Sequence, residues 1–422
     1  MRGPASELLI RLFHAGLAAA DPAHCLPAFL PVARPAGRTV VLGAGKAAAA
    51  MAAAVAAHHA ARGLGPVTGA VVTRYGHGLR AGEQAPGIQV LEAGHPVPDA
   101  ASVAAGARIL QVARSCGPDD RCLALLSGGA SSLLVQPAHG LTLADKQSIT
   151  RRLLASGATI AEINTVRRQL SAIKGGGLAR QLRAGEILLL AISDVPGDAL
   201  ADIGSGPLSP DPGSRADARA ILDRYGIAPP AAVDRVLAAP AGDSGSPELP
   251  AVDGRIVASS ATAVDAVARA AKAAGWPVRI LPEVSGPARE AARAHATVIR
   301  DLRASGQRAA LVAGGEATVS VSSRAGRGGR NGEYLLVLAL ELGPDAGVHA
   351  LAADTDGLDG TGDNAGALLA PDTLRRAVAA GTDAAARLSA QCSYDFFAAL
   401  GDLVITGPTR TNVNDLRIAL VD

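Results

Sequence analysis

Five times along the chain an unbroken apolar run stops at a loop of glycine, aspartate, serine or lysine. The segments are TVVLGAGKAA (39–48), CLALLSGGASS (122–132), ILLLAISDVPGD (187–198), ALVAGGEATV (310–319) and HALAADTDGLDGTGDNAGA (349–367). A strand buried on both faces of a parallel sheet reads as such a run, and open α/β sheets hold ligands at the C-terminal ends of their strands. The pattern predicts strands at 39–43, 69–74, 88–92, 122–126 and 187–192, then at 255–259, 278–281, 309–313, 317–321, 348–352, 403–406 and 416–421. Alanine-rich stretches at 46–62, 99–115, 142–155, 261–275 and 285–305 predict the helices between them. Alternation of this kind predicts an α/β fold of βαβ units with a largely parallel sheet.

The stretch APPAAVDRVLAAPAGDSGSPELPAVDG (228–254), rich in Pro, Gly, Ser and Asp, reads as a linker or exposed excursion. It predicts two domains, 1–245 and 246–422. Ligand pockets often lie between domains, so strand-end loops on both sides of such a boundary are expected to face one another across a cleft.

Composition narrows the function classes. Lys and Arg number 40 against 38 Asp and Glu, for a net charge of +2, with no basic tail or block of like charges. Nucleic acid and anionic membrane are therefore disfavoured as partners, while a small anion needs only a local basic pocket. Aromatic residues make up 2% of the chain, so the core must come from Ala, Val, Leu and Ile. Cys25, Cys116, Cys122 and Cys392 form no C-x-x-C pair, which points to free thiols in a reducing compartment. The N-terminal residues MRGPASELLIRLFHAGLAAADP interrupt their apolar positions with Glu7, Arg11 and His14 and read as an amphipathic helix rather than a signal sequence. No run is long enough to span a bilayer, and a cytoplasmic protein is expected.

Lysine is rare: Lys46, Lys146, Lys174 and Lys272 are the whole set. Lys46 and Lys174 adjoin glycine runs, whereas Lys272 reads as a solvated helix face. GAGKAA (43–48) has two readings. It fits the dinucleotide fingerprint G-x-G-x-x-A through Gly43 and Gly45, but Thr73 and Arg74 stand where the ribose-binding acid is wanted. It also fits a helix N-terminus that holds an anion, with Lys46 adding charge. SGGASS (127–132) offers Ser127, Gly128, Gly129 and Ser131 for a nest around phosphate or carboxylate oxygens. Asp194 in SDVPGD directly follows an apolar run, a place for a hard-cation ligand or a base.

In the second half, GRGGRNGEY (326–334) opens an apolar helix, with Asn331 as N-cap and with Arg327 and Arg330 suited to phosphate or a carboxylate. Glu316 lies just upstream. ADTDGLDGTGDNAG (353–366) gathers Asp354, Asp356, Asp359 and Asp363 without EF-hand spacing, which favours magnesium held by one or two carboxylates plus substrate phosphates. ITGPTRTNVNDLRIALV (405–421) reads as two strands around a polar connection whose Thr409, Thr411, Asn412 and Asn414 line a site or close a hairpin. Together these are the parts phosphoryl transfer requires: charge neutralisation, a metal site and positioning.

The chain closely resembles the glycerate 2-kinase family with a C-terminal MOFRL domain, whose members often carry a hydroxypyruvate reductase label. The resemblance rests on GAGKAA, GHPVPDAAS (94–102), LLSGGASSLL, INTVRRQLSAIKGGGLA (163–179), ISDVPGD, SGP…PD, GGE, GRGGRN, DTDGLDG and TGPTRTNVND. It implies a Rossmann-like N-terminal domain with a mostly parallel sheet and a smaller α/β C-terminal domain. It also implies ATP- and Mg2+-dependent phosphorylation of D-glycerate at its 2-hydroxyl, with the site in the interdomain cleft. The family's emphasised lysine and arginine map onto Lys46 and Arg330, with Arg327 the alternative for the arginine. On this reading Lys46 balances charge on the transferring phosphoryl group and Arg330 holds that group or the substrate carboxylate. Gly43, Gly45, Ser127, Gly128, Gly129, Ser131, Lys174, Glu316, Arg327 and Asn331 complete the binding set, and Asp194 and Asp356 are the metal-ligand candidates. The alternatives are an NAD(P)H-dependent hydroxypyruvate reductase and a non-catalytic nucleotide or sugar-acid sensor. A homodimer is compatible with the sequence.

Overall fold

The computed structural model describes residues 3–239, 249–320, 326–344 and 347–422. Packing divides the chain into a first unit, Cys25–Val257, and a second unit that joins the residues up to His24 to Ala258–Asp422. The boundary expected at 245/246 lies outside the described residues. The N-terminal helix Pro4–Ala19 belongs with the C-terminal residues, which no sequence signal announced. Its Gly16 lets it approach closely: a Cβ there would stand 2.5 Å from Leu416 Cδ1.

In the first unit, β1 (Thr39–Ala44), β2 (Val67–Arg74), β3 (Ile88–Ala93), β4 (Arg121–Leu126), β5 (Glu186–Ile192) and β6 (Asp253–Ala258) form one sheet in the order β3-β2-β1-β4-β5-β6. The neighbours from β3 through β5 pair parallel. β1 and β4 are buried at every position, as their continuous apolar runs required. Order reverses between β1 and β4, since β2 and β3 extend the sheet on one side and β4 and β5 on the other. Such a switch point opens a crevice at the carboxyl ends of the two strands. GAGK follows β1 and SGGASS follows β4.

Helices cover the sheet. Ala48–Arg62 buries mainly alanine, with Met51 and Val55, and stops at Gly63, whose left-handed backbone ends the helix. Reciprocal caps start the helices Ala100–Arg114, Leu143–Ala155, Ile160–Gln169 and Arg215–Arg224 through Asp99–Ser102, Thr142–Asp145, Thr159–Glu162 and Ser214–Asp217. The stretch expected to be a linker contains the helix Ala231–Ala238, whose Val233 and Leu237 are buried against the helices of 149–227. Its proline and glycine content hid a two-turn amphipathic segment.

The second unit departs from the parallel expectation. Its strands are β7 (Val278–Ile280), β8 (Val284–Pro287), β9 (Ala309–Ala313), β10 (Gly315–Thr318), β11 (Val348–Asp354), β12 (Gly366–Leu369), β13 (Leu403–Val404) and β14 (Asp415–Val421). The main sheet runs β13-β12-β11-β14-β9-β7 and is antiparallel except for β7 against β9. A helix-free connection from β11 to β12 leaves only antiparallel pairing open to them. The strand expected at 317–321 is β10, displaced to 315–318 and paired with β8, and residue 321 lies outside the described residues. The tail is no hairpin: β13 pairs with β12, and β14 lies between β11 and β9. Among the described residues no helix is long and apolar enough to cross a membrane.

Candidate active site

At the switch point of the first unit, the two strand-end loops are clasped together. Lys46 N–H donates to Gly128 O at 2.8 Å, and Ala47 N–H donates to Ser127 Oγ at 3.0 Å. Ser127 thus caps the helix that follows GAGK from across the sheet, and it is wholly buried. Gly45 has no substitute here: at φ +132° its Cβ would lie 2.1 Å from Ser127 Oγ. Gly129, at φ +82°, sits against Lys46 and His95, with Lys46 Cγ 3.4 Å from where its Cβ would be. Gly43 is buried against Leu125 of β4. Its role, like that of Gly45, is to let backbone approach backbone.

Ser127 Oγ accepts from Ala47 N–H inside the protein, so it holds the Lys46 loop from across the sheet. The dinucleotide reading weakens. Ala47 N–H is taken by Ser127 Oγ and Ala48 N–H by Gly45 O, and the end of β2 carries Thr73, buried and donating to Lys46 O at 3.3 Å, in place of an acid.

Ser131, further along the same loop, meets Lys174. Lys174 Nζ donates to Ser131 Oγ at 2.7 Å and to Gly204 O at 2.9 Å, and Ser205 Oγ lies 3.1 Å from Ser131 Oγ. Lys174 is 4% exposed. Burial, then the charges of Arg167, Lys146 and Arg168, push its pKa well below the ordinary lysine value. Asp194 follows β5, next in the sheet, and is half-buried.

The second unit gathers the remaining candidates at one end of its sheet. Asp354 ends β11 and stands directly opposite Asp415, which begins β14. Arg330, the first residue of the helix Arg330–Leu342, bonds Asp415 through Nε at 2.9 Å, Asp354 through Nη2 at 2.6 Å and Glu316 through Nη1 at 2.6 Å. Burial opposes its charge, yet Asp415, Asp354 and Glu316 outweigh burial and raise its pKa above the usual arginine value. Asp415 is wholly buried and also receives Arg417 Nη2 at 2.7 Å and Asn331 Nδ2 at 2.8 Å.

Asn331 is not the N-cap. Gly329 holds that position, and Asp359 caps the helix by accepting from Asn331 N–H at 3.0 Å and Gly332 N–H at 2.8 Å. Burial raises the Asp359 pKa to about 6 although those two amides pull the other way. Arg327 and Arg330 separate cleanly: Arg327 stacks at 3.9 Å on Tyr394 near Asp395 on the surface, and only Arg330 enters the acidic group. Asp356 is buried and accepts from Leu358 N–H at 2.8 Å. Thr355 ties this loop to the C-terminal one by donating to Asn414 O at 2.6 Å. Thr411, by contrast, donates to Ala20 O at 2.7 Å, so it anchors the N-terminal segment.

Two family descriptions match the chain: a domain of unknown function, DUF4147, over residues 8–238, and the MOFRL family over residues 309–415. The D-glycerate 2-kinase of Thermotoga maritima is 37% identical over 91% of this chain and 91% of its own. The chain belongs to the glycerate 2-kinase family. A crystal structure of glycerate kinase from Thermotoga maritima superposes with a TM-score of 0.87 at 34% identity, covering 99% of each chain. An Agrobacterium vitis protein that bears the provisional name hydroxypyruvate reductase is 49% identical over 99% of this chain and 94% of its own.

Within this family member, sequence reasoning gave no site role to several residues that complete the two groups. His95 lies against Gly129, and Lys146 and Arg167 lie beside Lys174. Asp354, Asp415 and Arg417 hold Arg330 in place or share its partners. GHPVP and TNVND were visible as motifs, but their partners were separated too far in sequence to be read.

Proposed function

We propose that the protein transfers the terminal phosphoryl group of ATP to the 2-hydroxyl of D-glycerate, giving 2-phosphoglycerate and ADP. The observation that carries this reading is the run of cationic and hydroxyl groups along SGGASS: Lys46 against Gly129, and Lys174 on Ser131. That loop stands at the β1/β4 switch point, where α/β sheets take their ligands. The family relationship supports the choice of acceptor.

Phosphoryl transfer of this kind passes through a loose transition state, so the protein's task is to position the reactants and neutralise charge. Lys46 supplies a flexible ammonium for the migrating group, and the Ser127 cap holds the backbone that aims it. Among the described residues no three His, Cys, Asp or Glu side chains form a ready cage for a metal. That fits Mg2+, which is held mainly by substrate phosphates and water with one or two carboxylates. Asp194 or Asp356 would supply such a carboxylate, and the ion would supply further charge neutralisation. Arg330 uses three of its five N–H groups on carboxylates, which leaves donors for an incoming oxyanion while the guanidinium stays fixed.

The test is a coupled assay of ADP release with ATP, Mg2+ and D-glycerate, run beside NAD(P)H oxidation by hydroxypyruvate without ATP. Activity in the first and none in the second supports the kinase. The opposite pattern would establish the reductase named for the Agrobacterium relative, despite the missing acid after β2.

A further inference from the structure

Three cations of the first unit face one cavity with no carboxylate among the described residues paired to them. Lys146 comes from the helix Leu143–Ala155, Arg167 from the helix Ile160–Gln169, and Lys174 from the turn that follows it. Arg168 next in sequence shows the contrast, since it pairs with Asp211 at 2.9 Å and Asp202 at 3.4 Å. The hydrogen bonds of the three go to neutral oxygens. Lys146 Nζ donates to Leu170 O at 2.8 Å, Arg167 Nη2 to Ser131 O at 3.4 Å, and Lys174 Nζ to Ser131 Oγ. The cavity measures about 320 Å³ and is walled by Pro96, Val97, Val135 and Ile149.

Holding three like charges together is costly unless a counter-charge arrives. Burial and the charge of Arg167 lower the Lys146 pKa to about 7, and burial lowers that of Arg167. The scaffold nevertheless keeps them in place. Residues 136–138 and 170–172 are laced together by Ala172 N–H to Gln136 O at 3.0 Å and Ala138 N–H to Leu170 O at 3.1 Å. Gln147 Nε2 donates to Pro98 O at 2.8 Å across the rim. Lys146 also caps carbonyls at the end of the helix carrying Arg167, so a purely structural role is the competing account.

We propose that Lys146, Arg167, Lys174 and Ser131 seat the carboxylate of the acceptor hydroxy acid. The inference rests on the kinase reading above and extends it to residues outside the glycine loops. A small planar anion matches the Arg fork and a narrow, half-apolar chamber, which is the wrong shape for a nucleotide triphosphate with its metal. Position agrees as well. Ser131 is two residues beyond Gly129, which touches Lys46, so the two ends of that span lie at most about 7 Å apart. A three-carbon acid anchored on Ser131 can thus present its hydroxyl toward Lys46.

The experiment measures D-glycerate and ATP binding separately by calorimetry, and KM for each in the ADP-release assay. It uses wild type, Lys146→Met, Arg167→Met and the charge-keeping Lys146→Arg, with thermal melting to show that each folds. We expect both Met variants to weaken D-glycerate about tenfold or more while ATP is unchanged, and Lys146→Arg to recover most of the loss. Should Arg167→Met fail to fold, Lys146→Met decides alone. Wild-type affinity for D-glycerate should also fall as pH rises through about 7, where Lys146 loses its proton. The charged groups facing Lys146 are Arg167 and Lys174, with Arg151 of its own helix on the same cavity. Loss of ATP binding with D-glycerate intact would overturn the proposal, as would unchanged binding of both or a wild type that binds no D-glycerate. A wild type that binds D-glycerate through these residues but releases no ADP would instead sink the kinase reading and leave the carboxylate seat standing.

Discussion

Arg330 Nη2 lies 2.6 Å from Asp354 Oδ2 while its Nε bonds both oxygens of Asp415, the residue opposite Asp354 across β11 and β14. The Arg330 guanidinium bridges two adjacent buried carboxylates and shares Asp415 with Arg417, which limits their repulsion. Removing it leaves the buried carboxylates short of one cation. Arg330→Met should cost about 3–5 kcal/mol of stability, read by urea unfolding. Arg330→Lys should recover little, because an ammonium cannot meet three carboxylates in one plane. A fully stable Arg330→Met would show that Asp354 and Asp415 do not depend on it.

Lys46 joins the fold through its backbone as well as its side chain. Its backbone N–H makes the bond to Gly128 whatever the side chain. Lys46→Ala should melt within a degree or two of wild type and lose about a hundredfold or more in kcat, the order seen when one preorganised charge is removed. A variant with near wild-type kcat would remove Lys46 from the chemistry.

Ser127→Ala tests the cap. Loss of its bond to Ala47 N–H should cost about 1 kcal/mol and lower kcat only by loosening the Lys46 loop. Complete loss of turnover in a folded protein would contradict the positioning role.

Asp359 gives a pH signature. Its folded pKa of about 6 lies above the usual carboxylate value, so the folded state holds its proton more tightly than the unfolded chain. The stabilisation is full below about pH 4 and is lost as pH climbs through about 6, a change of about 3 kcal/mol. Asp359→Asn keeps an acceptor for the helix amides but cannot ionise. The stability difference, wild type minus Asp359→Asn, should therefore fall between pH 4 and 6, and a flat difference would refute it.

Local pattern sufficed for the strands of the first unit and for the loops that end them, because a buried parallel strand is apolar throughout and a close backbone approach requires glycine. It did not show what each polar side chain touches. Arg330 meets partners 14, 24 and 85 residues away, a relation invisible in the helix-opening motif GRGGRN. Arg167 and Arg168 are adjacent letters, yet a helix turns them about 100° apart, toward an unbalanced cavity and toward two aspartates respectively. Nothing near Lys146 in sequence marks the carbonyls it caps. The antiparallel second sheet was missed for a related reason, since β12 is only four residues long within a glycine-rich stretch.

The account is tested most directly by phosphorus NMR of the purified protein incubated with ATP, Mg2+ and D-glycerate. It predicts ADP and a phosphate ester on the 2-hydroxyl, formed one for one. A spectrum in which ATP persists unchanged, or in which the new ester sits on the 3-hydroxyl, would contradict it.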